Sequence, residues 1–274
     1  MYQTLILVLI FIFGAIIGSF LNVVILRYRS GRHLGGRSAC YTCNKKLGIS
    51  ELVPIGSFIV QGGKCSSCSS RISWQYPIVE AITGFVFVFL FIRFSYLAFA
   101  MPALFLGLFA FYAVVLSILI VLSVYDFRHH VLPDQLVFLF ASISFIGMFF
   151  ITGDYIAFHL PSLSHILAGI ILPAPFTILW YFSKGKWMGL GDAKLMIGIG
   201  FLLGLSAGLS AILIAFWIGA LAGVLLIVFA PLLKKGKITL KTAIPFGPFL
   251  ALGTAIVMLG EIDLSSLVLF LGGM

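Results

Sequence analysis

The sequence predicts an all-α polytopic membrane protein with about eight transmembrane helices and a small polar insertion after the first helix. Of its 274 residues, 62% are hydrophobic and only 9% are charged, a composition that excludes an ordinary soluble domain. Charge-free runs recur along the chain, and their lengths are close to the ~20 residues that a helix needs to cross a bilayer core of ~30 Å. One long polar segment, residues 27–75, interrupts this pattern and contains all four cysteines.

The first apolar run, residues 1–26, carries no charge and is followed at once by Arg27 and Arg29. It lacks a basic N-terminal region and is too long for a cleaved signal peptide, so we interpret it as an uncleaved membrane anchor. Gly14 and Gly18 form a GxxxG motif, which is typical of close helix packing. Asn22, near the end of this run, is expected to hydrogen-bond to a neighbouring helix.

Seven further spans are predicted after the insertion. The run 195–233 is too long for one crossing, so the sequence predicts two spans that divide near residues 204–208. Residues 264–274 are too few to cross and are expected to lie at the membrane interface. The seven spans are 77–94, 97–125, 135–152, 163–183, the two within 195–233, and 242–260.

With eight spans, every Lys and Arg except Arg93 falls on the same side of the membrane. The positive-inside rule identifies that side as cytoplasmic and places both termini outside. The net charge of +9 is therefore explained by topology. No basic helix or aromatic-interleaved basic face indicates nucleic-acid binding. The same count puts Asp126 and Asp192 at one membrane face.

The insertion holds two CxxC pairs, Cys40 with Cys43 and Cys65 with Cys68. Four thiolates at such spacing can complete a tetrahedral zinc site. The alternatives are disulfides or a redox pair. A reducing cytoplasm and the pairing of two CxxC motifs favour metal, so we predict a cytoplasmic zinc-binding insertion. A segment this short has little core of its own, and a structural zinc would contribute much of its fold.

Two aspartates lie where apolar runs meet polar loops. Asp126 follows the third apolar run, and Asp192 stands after Gly189 and Gly191 just before the sixth. Ionisable residues at such boundaries are costly and therefore indicate function. Two neighbouring carboxylates cannot both ionise easily, so one could act as base and the other as acid in amide hydrolysis. The alternative is an ion- or proton-coupled transporter with a cytoplasmic zinc-ribbon domain, and the aspartates alone leave both hypotheses open.

Four further residues are assigned to positioning the substrate or the backbone. Gly189 and Gly191 would allow the backbone at the second aspartate to approach an extended substrate. Glu80 lies inside the second span and is either the partner of a basic residue or part of a site. Lys194 is expected on a different helical face from Asp192, with its ammonium reaching the headgroups.

The residues Pro133 and Asp134 precede the fourth span. Proline is favoured at the first helical position, and aspartate is stabilised by the positive end of the helix dipole. We therefore interpret Asp134 as a residue that starts a helix.

Several motifs occur in a fixed order over nearly the whole chain. They are Gly18-Ser19-Phe20-Leu21-Asn22-Val23-Val24, the two CxxC pairs, Tyr76-Pro77-Ile78-Val79-Glu80, Asp126, Pro133-Asp134, Gly189-Leu190-Gly191-Asp192-Ala193-Lys194 and Ile244-Pro245-Phe246-Gly247-Pro248-Phe249. This order resembles the type IV prepilin peptidases, which are GxGD aspartyl proteases of the bacterial inner membrane. The proline usual after the first span in that family is missing from residues 27–32.

The resemblance implies an aspartyl endopeptidase whose catalytic pair corresponds to Asp126 and Asp192. Its partners would be the lipid bilayer and prepilin or pseudopilin precursors of type IV pilus, type II secretion or competence systems. These precursors would be cut at the cytoplasmic face, between a short basic leader and a hydrophobic helix. Many members also methylate the new N-terminal residue with S-adenosylmethionine, for which no glycine-rich nucleotide loop is present here. The resulting domains are 1–26, the first transmembrane helix; 27–76, the zinc-binding region; and 77–274, the protease core.

Overall fold

A computed structural model describes residues 2–30, 33, 35–229, 244–266 and 268, and these are mostly helical. Packing divides the chain into two compact units, residues 1–121 and 122–274. The helices are α1 (Tyr2–Arg27), α2 (Gly56–Val60), α3 (Gln75–Phe94), α4 (Leu97–Ala100), α5 (Pro102–His129), α6 (Asp134–Phe150), α7 (Leu163–Ile171), α8 (Pro173–Ser183), α9 (Leu190–Phe229) and α10 (Gly247–Gly260). A 3-10 turn covers Ile49–Leu52, and two-residue strands β1 (Ile151–Thr152) and β2 (Tyr155–Ile156) form an antiparallel pair.

Five helical segments in the described part of the chain are long and apolar enough to cross a membrane. They are Gln3–Arg27, Gln75–Phe94, Pro102–His129, Leu163–Ser183 and Leu190–Phe229. Two shorter apolar helices, Asp134–Phe150 and Gly247–Gly260, correspond to the predicted fourth and eighth spans. The prediction of a polytopic all-α membrane protein is therefore confirmed, whereas eight crossings remain a prediction.

Helix α9 is interrupted where the sequence predicted a division. Its 40 residues would extend about 60 Å as a continuous helix, twice the thickness of a bilayer core. Gly204 has φ 74° and ψ −173°, a backbone conformation open to glycine but costly for residues with a side chain. The break at Gly204 thus separates an N-terminal half that carries Asp192 from a C-terminal half.

In the first unit, α1 and α3 pack closely along the GxxxG motif. A Cβ at Gly14 would lie 2.8 Å from the Cβ of Phe87, and one at Gly18 would lie 2.8 Å from the Cα of Glu80. Asn22 adds a polar link, because its amide donates to the Tyr76 carbonyl at 3.2 Å. Both expectations for the first helix, close packing and a side-chain hydrogen bond, are confirmed.

Several predicted spans differ in detail from the helices. Of the eighth, predicted from residue 242, the described helix begins only at Gly247. The fifth consists of α7 and α8, because Pro173 has no N–H to continue α7 and instead begins α8. The third is preceded by the separate helix α4, and α5 begins at Pro102. The fourth ends at Phe150, and the chain then turns at Gly153, which has φ 56°, between β1 and β2.

Several predicted features lie outside the described residues. These are the end of the seventh span, the basic loop that follows it, the first two residues of the eighth span and most of the interfacial segment. The residues concerned are 230–243, 267 and 269–274, and residues 31, 32 and 34 of the insertion are also outside the description.

Candidate functional site

Asp126 lies in the last turn of α5 and is buried, with 6% of its surface exposed. Its Oδ2 atom accepts a hydrogen bond of 3.1 Å from the backbone N–H of Gly247. Gly247 is the first residue of α10, where backbone N–H groups have no acceptor within the helix. The carboxylate therefore ties the end of α5 to the beginning of α10.

Gly247 is a residue of the site to which the sequence analysis gave no role. A Cβ at this position would lie 2.6 Å from Oδ2 of Asp126, so any side chain here would displace the carboxylate. The signal available in the sequence was a glycine at a helix start between Pro245 and Pro248. That pattern indicates a turn into a helix but does not identify which side chain the glycine faces.

Asp192 lies in the first turn of α9 and is also buried, with 7% of its surface exposed. A Cβ at Gly191 would lie 3.0 Å from the Cβ of Leu132, and one at Gly247 would lie 3.4 Å from Cδ2 of the same leucine. Leu132 thus lies between the glycines beside the two aspartates. The charges of the Asp126 and Asp192 carboxylates are close enough to interact.

The chemistry open to this arrangement follows from two buried carboxylates brought together at helix ends. Such a pair favours a state in which one proton is shared. One group can then accept a proton from water while the other gives a proton to a leaving group. Asp192 also lies near the positive end of the α9 dipole, which favours negative charge there.

Gly189 and Lys194 flank Asp192 in different ways. The Gly189 carbonyl accepts the Asp192 N–H at 3.3 Å, and a Cβ at Gly189 would meet no side chain within 4 Å. Lys194 does not simply reach towards the headgroups as expected, because its Nζ lies 2.8 Å from Oδ1 of Asp134. Asp134 is the first residue of α6, and Pro133 caps that helix instead of occupying its first position. The ion pair thus connects the beginnings of α6 and α9.

Glu80 is buried in α3, and among the described residues it is held by a backbone N–H and a hydroxyl group. Its Oε2 accepts the N–H of Ile55 at 2.7 Å, and the Ser19 hydroxyl also bonds to the carboxylate. Ile55 has φ 60° and ψ −50°, a strained conformation for a β-branched residue. Within the first unit, Glu80 therefore anchors the cysteine-bearing insertion to α1 and α3.

The four cysteines of the insertion are free thiols gathered in one place. Their sulfur atoms all lie within 4.8 Å of one another, and those of Cys40 and Cys68 are 3.8 Å apart. Around a tetrahedral zinc with Zn–S bonds of about 2.3 Å, sulfur atoms are separated by roughly 3.8 Å. The cluster could therefore hold a metal ion, and its size fits zinc.

Each CxxC pair lies in a short hairpin, and the two hairpins have the same local geometry. The N–H of Cys40 donates to the carbonyl five residues later at 3.0 Å, and that of Cys65 does so at 2.9 Å. The residue after the second cysteine is left-handed in both, with φ 55° at Asn44 and 56° at Ser69. Two matched hairpins that bring four sulfurs together favour metal binding over a single redox pair.

The surroundings of the cluster shift the acidities of three of its thiols in different directions. Hydrogen bonds, the largest effect coming from the backbone N–H of Cys43, lower the pKa of Cys40 to about 6, and the Ser70 hydroxyl lowers the pKa of Cys68. The Lys45 N–H acts in the same direction on Cys43, but burial and the other three sulfurs outweigh it and raise the pKa of Cys43 to about 11. A cation bound between the sulfurs would favour the thiolate form of Cys43.

The fold and the site together define a multi-pass membrane protein with a buried pair of aspartates and a four-cysteine cluster. The family model described as the bacterial peptidase A24 N-terminal domain matches residues 12–94, and that of the type IV leader peptidase family matches residues 113–224. The chain belongs to the type IV leader peptidase family, as its motifs had suggested.

Relatives named prepilin leader peptidase/N-methyltransferase align over most of the chain. That of Bacillus subtilis (strain 168) is 31% identical over 254 residues, covering 92% of this chain and 93% of the relative. That of Xanthomonas campestris pv. campestris is 32% identical, covering 92% and 90%. That of Pseudomonas aeruginosa is 30% identical, covering 90% and 87%. No solved structure matches the chain. These names give no support to the transporter alternative.

Proposed function

We propose that this chain is a membrane aspartyl endopeptidase that removes the short basic leader from prepilin or pseudopilin precursors. The observation that carries the proposal is the pairing of the buried Asp126 and Asp192 carboxylates within the unit 122–274. Relatives that cover more than nine-tenths of the chain and are named for prepilin leader cleavage support the choice of substrate.

In this proposal the two aspartates divide the work of amide hydrolysis. One carboxylate takes a proton from the attacking water, and the other protonates the leaving nitrogen. Gly247 keeps Asp126 in place through its N–H, and the open side of Gly189 leaves room for an extended substrate backbone. The Lys194–Asp134 ion pair holds the beginning of α9, and so Asp192, against α6.

The same proposal places the reaction at the cytoplasmic face of the inner membrane, with both termini outside. Basic residues concentrate on the side where the aspartates lie, in agreement with the positive-inside rule. A precursor with a hydrophobic helix would enter through the bilayer, with its basic leader in the cytoplasm. Residues 1–26 would then serve as the anchor, 27–76 as the metal-binding region and 77–274 as the protease core.

The catalytic roles are tested by Asp126→Asn and Asp192→Asn, which retain shape but remove the titrating oxygen. Each variant should process a co-expressed prepilin at least ~100-fold more slowly than wild type, the lower range of a general acid–base contribution. The double variant should be scarcely slower than either single one, because the groups act as a unit. Processing is followed by gel shift, with membrane levels checked. Asp154→Asn, in the β1–β2 turn, is the control, and efficient cleavage by either active-site variant would exclude the mechanism.

Cys40, Cys43, Cys65 and Cys68 are proposed to hold a structural zinc, which would cross-link the two hairpins when bound. Purified protein should contain about one zinc per chain, and Cys40→Ser or Cys65→Ser should release it. Elemental analysis of protein purified without chelators provides the measurement. Absence of zinc together with a Cys40–Cys43 disulfide in cells would favour the redox alternative.

The names of the relatives also support N-methylation of the new N-terminus with S-adenosylmethionine. The described residues contain no glycine-rich turn between a strand and a helix of the kind that binds nucleotides. Mass spectrometry of cleaved substrate from cells expressing this chain should find a methylated N-terminal residue. Cleaved but consistently unmethylated substrate would leave a peptidase alone.

A further inference from the structure

A polar cluster joins the two cysteine hairpins on one side of the thiols. Glu51, in the 3-10 turn between the hairpins, accepts hydrogen bonds from the Lys45 ammonium at 3.1 Å and from the Ser66 hydroxyl through the same oxygen, Oε1. Lys45 also donates to Ser66 at 3.0 Å, which closes a triangle of three side chains. Lys45 belongs to the first hairpin and Ser66 to the second, so Glu51 bridges them.

The Glu51 carboxylate is itself held in place. Its second oxygen, Oε2, accepts the backbone N–H of Gly48 at 2.8 Å, and only 14% of its side chain is exposed. Hydrogen bonds from Ser66, Gly48 and Lys45 lower the pKa of Glu51 to about 2, so the bridging group is ionised under cellular conditions. A carboxylate bonded at both oxygens has little freedom to leave the cluster.

We propose that the Glu51–Lys45–Ser66 cluster is a clasp that positions the two CxxC hairpins for metal binding before the metal arrives. The inference rests on the proposed zinc site. Each hairpin forms its own short-range backbone hydrogen bonds, whereas the metal needs both hairpins face to face. Bringing the two ends of the 21-residue segment between Cys43 and Cys65 together costs chain entropy. The hydrogen bonds of the clasp offset part of this cost before metal binds.

The clasp also holds a positive charge between the two hairpins. Zinc bound by four thiolates has a net charge of −2, and Lys45 places a positive charge two residues after Cys43. Glu51 fixes that ammonium beside the second hairpin through Ser66. Residues of this kind, which orient ligands without touching the metal, typically contribute 10- to 100-fold to metal affinity.

The chain supplies matched controls for a test, because Lys46 and Ser67 are neighbours of the same type as Lys45 and Ser66 but lie outside the clasp. Full-length protein in detergent is loaded with zinc and mixed with excess chelator, and zinc release is followed with a metal indicator. Lys45→Met, Ser66→Ala and Glu51→Gln should release zinc about 10- to 100-fold faster than wild type. Lys46→Met and Ser67→Ala should release it at the wild-type rate.

Cobalt provides a readout that separates positioning from loss of a ligand. At saturating cobalt, the clasp variants should retain the four-thiolate charge-transfer spectrum of wild type and differ only in the concentration needed to reach it. Equal release rates for clasp and control variants would overturn the inference while leaving the zinc site intact. Absence of zinc from wild-type protein would instead overturn the zinc site and the clasp together. Ser66→Ala removes only one exposed hydroxyl, so this variant still tests the clasp if Glu51→Gln does not fold.

Discussion

At the scale of single residues, Asp126 depends on a glycine 121 positions away in the sequence. Gly247 contributes its N–H as a donor and its missing side chain as space for the carboxylate. Both contributions act on the position of one oxygen atom. A displacement of about 1 Å in a reacting group can lower the rate ~100-fold. A side chain at position 247 that moves the Asp126 carboxylate is therefore expected to impair cleavage.

We therefore expect Gly247→Ala to reduce prepilin cleavage about 100-fold while the protein still inserts in the membrane. The added Cβ would lie 2.6 Å from Oδ2 of Asp126, so the carboxylate must move. Initial rates of processing with purified variant and substrate provide the measurement. Gly223→Ala, in α9, is the control, because its Cβ would find only an ordinary contact of 3.8 Å. Wild-type rates for Gly247→Ala would show that the position of this carboxylate is not critical.

At the scale of elements, α9 is divided by a break that the surrounding structure stabilises. In a continuous helix the Phe201 carbonyl would accept the N–H of residue 205, but the conformation of Gly204 interrupts that ladder. The Nε2 atom of His165, in α7, lies 2.9 Å from the Phe201 oxygen and can donate to it. His165 thus supplies a hydrogen bond at the break and ties α7 to α9.

His165→Leu should lower the stability of the protein, because the partly buried Phe201 carbonyl would lose this donor. A buried polar group without a partner costs about 1–3 kcal/mol. Thermal unfolding in detergent should therefore shift to lower temperature for this variant. His159→Leu is the control, because His159 is half-buried, as His165 is, but bonds to the exposed Thr152 hydroxyl and not to α9. An unchanged transition for His165→Leu would mean that the break does not need this donor.

At the scale of the whole molecule, the distribution of charge is the strongest constraint on topology. Every Lys and Arg except Arg93 falls on the side proposed to be cytoplasmic. Moving such residues across a bilayer is costly, so the pattern orients the chain. It also predicts that the polar insertion and both aspartates face the same compartment.

A reporter fused after Lys186 should therefore be cytoplasmic, and one fused after Asp154 should be external. Paired enzyme reporters that are active on opposite sides of the membrane provide the measurement. The two sites flank the α7–α8 segment, so they test one crossing directly. If both reporters were found on the same side of the membrane, residues 163–183 would not be a span. The two aspartates would then no longer be assigned to the same face.

The sequence by itself determined the features that depend on local patterns. Long charge-free runs specified the helices and their membrane setting, since apolar length alone decides whether a helix can cross. Paired CxxC spacing indicated the thiol cluster, because each hairpin is built from residues close together in the chain. The sequence also predicted a break near Gly204, because the apolar run around it is longer than one membrane crossing requires.

Only the tertiary structure decided which groups meet. Gly247 facing Asp126, the Ile55 N–H donating to Glu80, and Lys194 pairing with Asp134 left no signature in local composition or periodicity. In two of these contacts the partner is a backbone N–H, which every residue except proline carries, so no residue type marks the partner. Which N–H meets a carboxylate depends on how packed helices and loops bring distant segments together, and that is a property of the fold.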